Sequence, residues 1–235
     1  MSQRTIEEYL ESIGALEERE SPVSTSSIAQ SIGVSLASVS EMLHRLSKKG
    51  LVEYTPYGGA TLTDEGRQRF LRLTRRHHLW EVFLNRYLGI GWEEVYDHAC
   101  SLEHATTDLV ADNLAEFLNN PKVCPHGSPI PKKNLTRTKS SGITMANLEI
   151  GQSARVLNVV LERDTEFLRY LSSLKLIPGA VVKVLEKAPY DGTLTIEISN
   201  DSKAIGKEAA SLIMVKPLSN NRKPESRTPH QTQLL

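Results

Sequence analysis

The stretch STSSIAQSIGVSLASVSEMLHRLSKKG, from Ser24 to Gly50, leaves the backbone few choices. Ser24 or Thr25 caps a short helix through Ile32, because a hydroxyl at this position accepts from an otherwise orphaned helical N–H. Gly33 supplies the left-handed residue of a tight turn. Ser35 caps a second helix, in which Val39, Met42, Leu43 and Leu46 recur at helical spacing and face inward. Lys48 and Lys49 complement its C-terminal dipole, and Gly50 suits the residue that ends it. Ahead of this pair, Ile6, Tyr9, Leu10, Ile13 and Leu16 form an amphipathic stripe. After it, LVEY and ATLT flank TPYGG as the arms of a β-hairpin.

Helix, short helix, turn, helix and hairpin make the plan of a winged helix-turn-helix, whose second short helix enters the DNA major groove. Ser35, Ala37, Ser38, Ser40 and Glu41 form the exposed face at the start of that helix. Small side chains allow close approach and imply few direct base contacts. Glu41 suits cytosine N4 or plain water equally well. Arg45, Lys48, Lys49 and the Tyr54–Tyr57 wing suit phosphates. Charge agrees: the chain is neutral overall, but His44 to Arg76 holds eight basic residues against three acidic ones. From Glu93 to Leu118 there are seven acidic residues and no Lys or Arg. Such blocks fit a polyanion and a cation respectively, or two differently charged solvated faces.

Thr63 caps a long helix through Leu88, ended by Gly89. Further helices run from about Trp92 through EEVYDHACSLEH and from about Thr106 to Leu118, closed by Pro121. CPHGSPIPKKNLTRTKSSG reads as loop and linker. From Ile150 onward SARVLNVV, AVVKVLEK, TLTIEIS and SLIMVK read as strands of a small barrel, with DTEFLRYLSSLKLIPG a helix and turn among them. The expected organisation is therefore residues 1–63 winged helix, 64–131 helical domain, 132–149 linker, 150–217 small β domain and 218–235 disordered tail. No apolar run approaches the roughly 20 residues of a membrane span. MSQRTIEEYL lacks the apolar core of a secretory signal, and two cysteines make no disulfide framework, so a reduced, cytoplasmic setting is expected.

CSLEH sets Cys100, Glu103 and His104 at i, i+3 and i+4, one face of a helix. Thiolate, carboxylate and imidazole suit first-row transition metals. One helix fills only part of a coordination shell. Glu8 and Glu11 on the first helix, and His77 with Glu81 on the long one, offer further pairs. Each pair also reads as ordinary solvated or packed side chains. Cys100 and His104 could form a nucleophile and base, but no oxyanion loop, glycine-rich phosphate cradle or HExxH helix accompanies them. Cys124 and His126 in CPHG read as packing in a proline-bounded loop.

EEYLESIGALEE, IAQSIGVSLASVSEMLHRLSKKGLVEY, GATLTDEGRQRFLRLTRRHHLWEVFL, CSLEHATTD and CPHGSPIP together resemble the metal-dependent repressors typified by the diphtheria toxin repressor, a family that includes iron-dependent and manganese transport regulators. The likeness is strong from Ile6 to Pro131 and weaker from Ile150 to Val215, which is similar to the SH3-like (FeoA-like) domain of longer members. It implies a mainly α chain: a winged helix, a helical metal-binding and dimerisation domain, then the small β domain. It also implies metal ligands at Glu8, Glu11, His77, Glu81, Cys100, Glu103 and His104, with Glu162 and Asp164 as ancillary ones. Tyr96 stands where iron-type members have a histidine, and Glu8 where they have methionine, so the ligand set is a hybrid. The implied function is a homodimeric repressor, activated by Mn²⁺ or Fe²⁺, that binds operator DNA and silences metal-uptake genes. Zn²⁺ or Co²⁺ would occupy the same donors in vitro. Val95, Leu102, Leu109 and Leu114 would line the dimer contact or the chain's own core. The competing readings are a winged-helix regulator of a non-metal ligand or partner protein and, more remotely, an enzyme.

Overall fold

The structure is a computed structural model that describes residues 2–138 and 142–218. The tail expected from 218 lies outside the described residues from 219 onward. The described residues form two compact units, 2–138 with 158–178, and 142–157 with 179–218.

In the first unit, α1 (Gln3–Leu16) buries Ile6, Tyr9, Leu10 and Ile13. Helices α2 (Thr25–Ile32) and α3 (Leu36–Lys48) start at Ser24 and Ser35, whose side chains accept from the amides of Ser27 and Ser38 at 3.0 and 3.2 Å. Gly33 turns between them at φ 76°. Val39, Leu43 and Leu46 have no exposure, and they join Ile13, Ile28 and Leu51 in one core. The wing is β1 (Val52–Thr55) paired antiparallel with β2 (Gly59–Leu62).

The wing is bolted to the next helix, α4 (Asp64–Leu88). Thr63 accepts from Gly66 N at 3.1 Å and donates to Gly50 O at 2.6 Å. A Cβ on Gly66 would lie 2.0 Å from Leu51 O, so only glycine fits. Gly14 of α1 packs on the Phe70 ring of α4, where an added Cβ would come within 2.6 Å of the ring. Helix α4, about 37 Å long at 1.5 Å per residue, thus carries both the reading head and the residues that follow.

Turns occupy Trp92–Glu94, and α5 runs Val95–Glu103; α6 (Asp108–Phe117) is capped by Thr107. Val95 is fully buried within the chain, whereas Leu109 is 71% exposed. Trp80, Phe83, Val110, Leu114 and Phe117 line a shallow apolar hollow of about 360 Å³. Tyr87 extends this face, with its ring 5.6 Å from Phe83 and 5.0 Å from Phe117. Residues 158–178 belong to this unit and hold α7 (Thr165–Ser173). Trp92 Nε1 donates to Ser172 at 2.7 Å, and Arg169 pairs with Glu94 at 2.8 Å.

The second unit is built on a six-stranded sheet, ordered β3-β8-β4-β5-β6-β7. Its strands are β3 (Ile143–Thr144), β4 (Ser153–Val159), β5 (Val181–Lys187), β6 (Leu194–Ile198), β7 (Asp201–Ile205) and β8 (Ile213–Pro217), with a short α8 (Lys207–Ser211). Alternation buries Val182, Val184, Ile196, Ile198 and Val215 on one face. Among the described residues no helix is long and apolar enough to cross a membrane.

Candidate metal centre

Three helices, a loop and the segment before α7 bring two groups of metal-ligating side chains inside the first unit. In the first group a ligand atom from each of Cys100, Glu103 and His104, all at the end of α5, lies within 4.8 Å of the others. Glu103 has no exposure; its Oε2 accepts from His77 Nδ1 at 2.7 Å. Its other oxygen, Oε1, is buried without a hydrogen-bond partner, and so is His104 Nε2, 3.4 Å away. His104 Nδ1 donates to Glu7 of α1 at 2.7 Å. Burial and then the Glu103 charge push the Glu11 carboxyl up to about 8. The same two influences, burial first, push the Cys100 thiol up to about 11. Negative charge is therefore crowded here, and a cation would relieve it.

The second group is His78, Glu81, Cys124 and Glu162, again within 4.8 Å. His126 joins it: Nδ1 lies 3.1 Å from Glu81, and Nε2 donates to the Trp92 carbonyl at 2.7 Å. That carbonyl fixes the ring so that Nδ1 faces the group. Glu81 Oε2 and His78 Nδ1 are buried without hydrogen-bond partners. Glu162 accepts from Ser128 and lies 3.7 Å from His78. Burial raises the Cys124 thiol well above its ordinary range, and the Glu81 and Glu162 charges add to it. His77 spans the two groups, since its Nε2 is 3.3 Å from Glu81.

Not every residue expected at the centre is in these groups. Glu8 is half-exposed and pairs with Arg4 at 3.0 Å, while its neighbour Glu7 reaches His104. Glu11 is buried beside Glu103. Glu162 is in the second group, but Asp164 caps α7 by accepting from Phe167 N at 2.9 Å. Tyr96 lies with its ring 4.4 Å from that of His77 and its hydroxyl on Arg163. Glu7 and His78 were not named from the sequence, and Cys124 and His126, read there as loop packing, lie beside Glu81. The signal was present in part: CPHG offers two soft or borderline donors two residues apart, and HH doubles the imidazole on α4.

The orphaned atoms test whether a metal suits these donors. Buried polar atoms of Glu103, His104 and Glu81 without hydrogen-bond partners carry a desolvation cost. Sulfur, nitrogen and oxygen in one shell fit a first-row divalent ion and not Ca²⁺ or Mg²⁺. On the reading head, Ser35, Ala37, Ser38, Glu41, Arg45, Lys48 and Lys49 are exposed, with Ser40 half-buried. Arg45 is paired with Glu41 one turn earlier.

Comparison with known proteins agrees with this geometry. Residues 1–60 match the model of the iron-dependent repressor N-terminal DNA-binding domain. Residues 63–132 match the metal-binding and dimerisation domain of the same repressors, and residues 143–217 match the FeoA domain. The chain is 33% identical to the diphtheria toxin repressor of Corynebacterium efficiens over 192 residues, 78% of this chain and 84% of that protein. It is 30% identical to the iron-dependent repressor IdeR of Mycobacterium tuberculosis over 222 residues, covering 90% and 96%. A manganese-dependent transcriptional repressor solved with manganese superposes with a TM-score of 0.84 at 32% identity, over 91% of this chain and all of that one. Repression of transcription, not turnover of a substrate, is what these relatives have in common. With a winged reading head, a donor-rich helical centre and a FeoA-type sheet in that order, the chain belongs to the metal-dependent transcriptional repressor family that includes the diphtheria toxin repressor.

Proposed function

We propose that this protein is a homodimeric cytoplasmic repressor that responds to Mn²⁺ or Fe²⁺ and silences metal-uptake genes. The observation that carries this reading is the pair of orphaned buried atoms, Glu103 Oε1 and His104 Nε2, 3.4 Å apart beside Cys100. Cys100, Glu103 and His104 would hold the ion, with Glu11 and His77 close at hand. Glu81, Cys124, His126 and Glu162, with His78, would hold a second. A bound divalent cation supplies the positive charge that these crowded carboxylates lack. Zn²⁺ and Co²⁺ suit the same donors in vitro, so affinity alone does not identify the physiological metal.

The chain's own residues convert occupancy into DNA affinity. Glu7 and Glu11 belong to α1, which packs in the core of the reading head, so drawing their carboxylates toward α5 fixes that head on α4. The apolar face of Trp80, Phe83, Tyr87, Val110, Leu114 and Phe117 suits contact with a second copy. Two recognition helices held by such a dimer must match half-sites about 34–36 Å apart, so small changes in head position decide affinity. Ser35, Ala37, Ser38, Ser40 and Glu41 would face base edges, and Arg45, Lys48 and Lys49 phosphates. Fluorescence anisotropy with operator DNA, run anaerobically with Mn²⁺, Fe²⁺ or chelator, tests the proposal. Affinity should rise at least tenfold with metal; equal affinity in chelator would reject it.

A further inference from the structure

Resting on that reading, we infer that Glu7 is a positioning residue: its carboxylate fixes the His104 ring so that a bare Nε2 faces Glu103 and Cys100. A carboxylate only accepts, so in the 2.7 Å contact the proton is on His104 Nδ1. Whenever the ring is neutral, its lone pair is therefore on Nε2, the atom buried without a hydrogen-bond partner and 3.4 Å from Glu103 Oε1. Free imidazole in water has no such constraint. Here both ends of the contact are largely shielded from solvent: the His104 and Glu7 side chains are only 11% and 16% exposed. Carboxylate–imidazole–metal arrangements of this kind set the ring's orientation and raise its basicity. The contact also joins residues 97 apart, one on α1 and one at the end of α5. A ligand of the centre is thereby oriented from the reading head itself, which makes ring orientation and head position one event.

Glu8 has no such part, since it is half-exposed and paired with Arg4. The distinction between two adjacent glutamates is what the test exploits. Full-length Glu7→Ala, Glu7→Gln, Glu8→Gln and Cys100→Ala proteins are compared with the parent in two measurements. The first is the Co²⁺ dissociation constant from ligand-field absorption. The second, on metal-free protein at alkaline pH, is the ring-nitrogen chemical shifts of His104, which report the tautomer. Glu7→Ala should weaken Co²⁺ binding about 10–100-fold and move His104 from the Nδ1–H toward the Nε2–H form. Glu7→Gln is isosteric and keeps an acceptor, so it should retain the tautomer and lose less affinity. Glu8→Gln should leave the tautomer as it is. If Glu7→Ala keeps either the parent tautomer or the parent affinity, the inference is wrong. If Cys100→Ala also binds Co²⁺ as the parent does, the metal reading itself fails and takes the inference with it.

Discussion

His77 Nδ1 lies 2.7 Å from Glu103 Oε2, and both side chains are sealed from solvent, at 5% and 0% exposure. On the far side of the ring, Nε2 faces Glu81 at 3.3 Å. Both partners accept only, so the ring donates from both nitrogens and is an imidazolium. Burial opposes that charge, but the Glu81 charge and the bonds to Glu103 and Glu81 overcome it and raise the ring well above its ordinary range. Removing one member of a buried charge set costs about 3–5 kcal/mol, because the others are left uncompensated. His77→Leu should therefore lower the unfolding free energy of the metal-free protein by that order, read from urea denaturation. A loss below about 1 kcal/mol, the value of an exposed pair, would mean that the ring is not the link between the carboxylates.

Glu11 gives the metal-free protein a distinctive pH profile. Its folded-state value of about 8 lies above the ordinary 4.5, so between those limits the folded chain keeps a proton that the unfolded chain has released. Stability then falls as pH rises through this window, by at most about 1.4 kcal/mol per pH unit. His77 acts in the same direction, since a raised imidazole loses its contribution as pH climbs through its folded value. Glu81 acts oppositely, but its lowered carboxyl matters only on the acid side of 4.5. Melting temperatures without metal should decline from pH 5 to pH 8, and Glu11→Gln should flatten the slope. A parent profile that rises over this range would contradict the buried, proton-holding Glu11.

What the sequence revealed was local. Ser24, Ser35 and Thr63 are caps, and Gly33, Gly50 and Gly89 take positive φ, because those signals act within a turn of their own position. Cys100, Glu103 and His104 were legible for the same reason: one helix face carries all three. The second group is assembled from α4, the CPHG loop and the segment before α7, and no spacing in the chain encodes that meeting. Glu7 and Glu8 differ by about 100° around α1, which is finer than a five-residue apolar stripe can resolve. Strand β7 was hidden by its polar DSKA, although Ser199 and Asn200, both at positive φ, form the two-residue turn that joins it to β6.

The reading head should bind chiefly through phosphates. Exposed small residues begin α3, and Lys48 and Lys49 stand exposed at its end. Lys49→Ala should weaken metal-loaded binding similarly on operator and unrelated DNA. It should also reduce the slope of log affinity against log salt by about 1. A loss confined to the operator would instead assign Lys49 to base reading.

The aromatic face around Phe117 gives an independent test of assembly. Phe117 is 56% exposed and Tyr87 51%, yet their rings pack against each other and Phe83. A charge there is tolerated in a monomer and not in a contact between copies. Phe117→Glu should sediment as a monomer and keep Co²⁺ affinity within about twofold. Its DNA affinity should fall roughly a hundredfold or more as the gain from two linked heads disappears. A Phe117→Glu protein that remains dimeric would move the interface elsewhere.

The two thiols separate the two groups. Cys124 is buried at 4% exposure and faces Glu81 and Glu162, whereas Cys100 is partly exposed beside Glu103. Alanine at either position removes one sulfur donor and little volume. If both groups take metal, the parent chain should bind two Co²⁺ per protomer, each with sulfur-to-metal charge-transfer absorption. Cys124→Ala should lose one of these signals and Cys100→Ala the other. DNA binding should fail most completely with Cys100→Ala, since the first group is bonded to α1 through Glu7. Should Cys124→Ala still bind two equivalents with unchanged absorption, then His78, Glu81, His126 and Glu162 form an ion network that holds the CPHG loop and α7 in place. In that case a single ion beside Cys100 would have to carry the whole response.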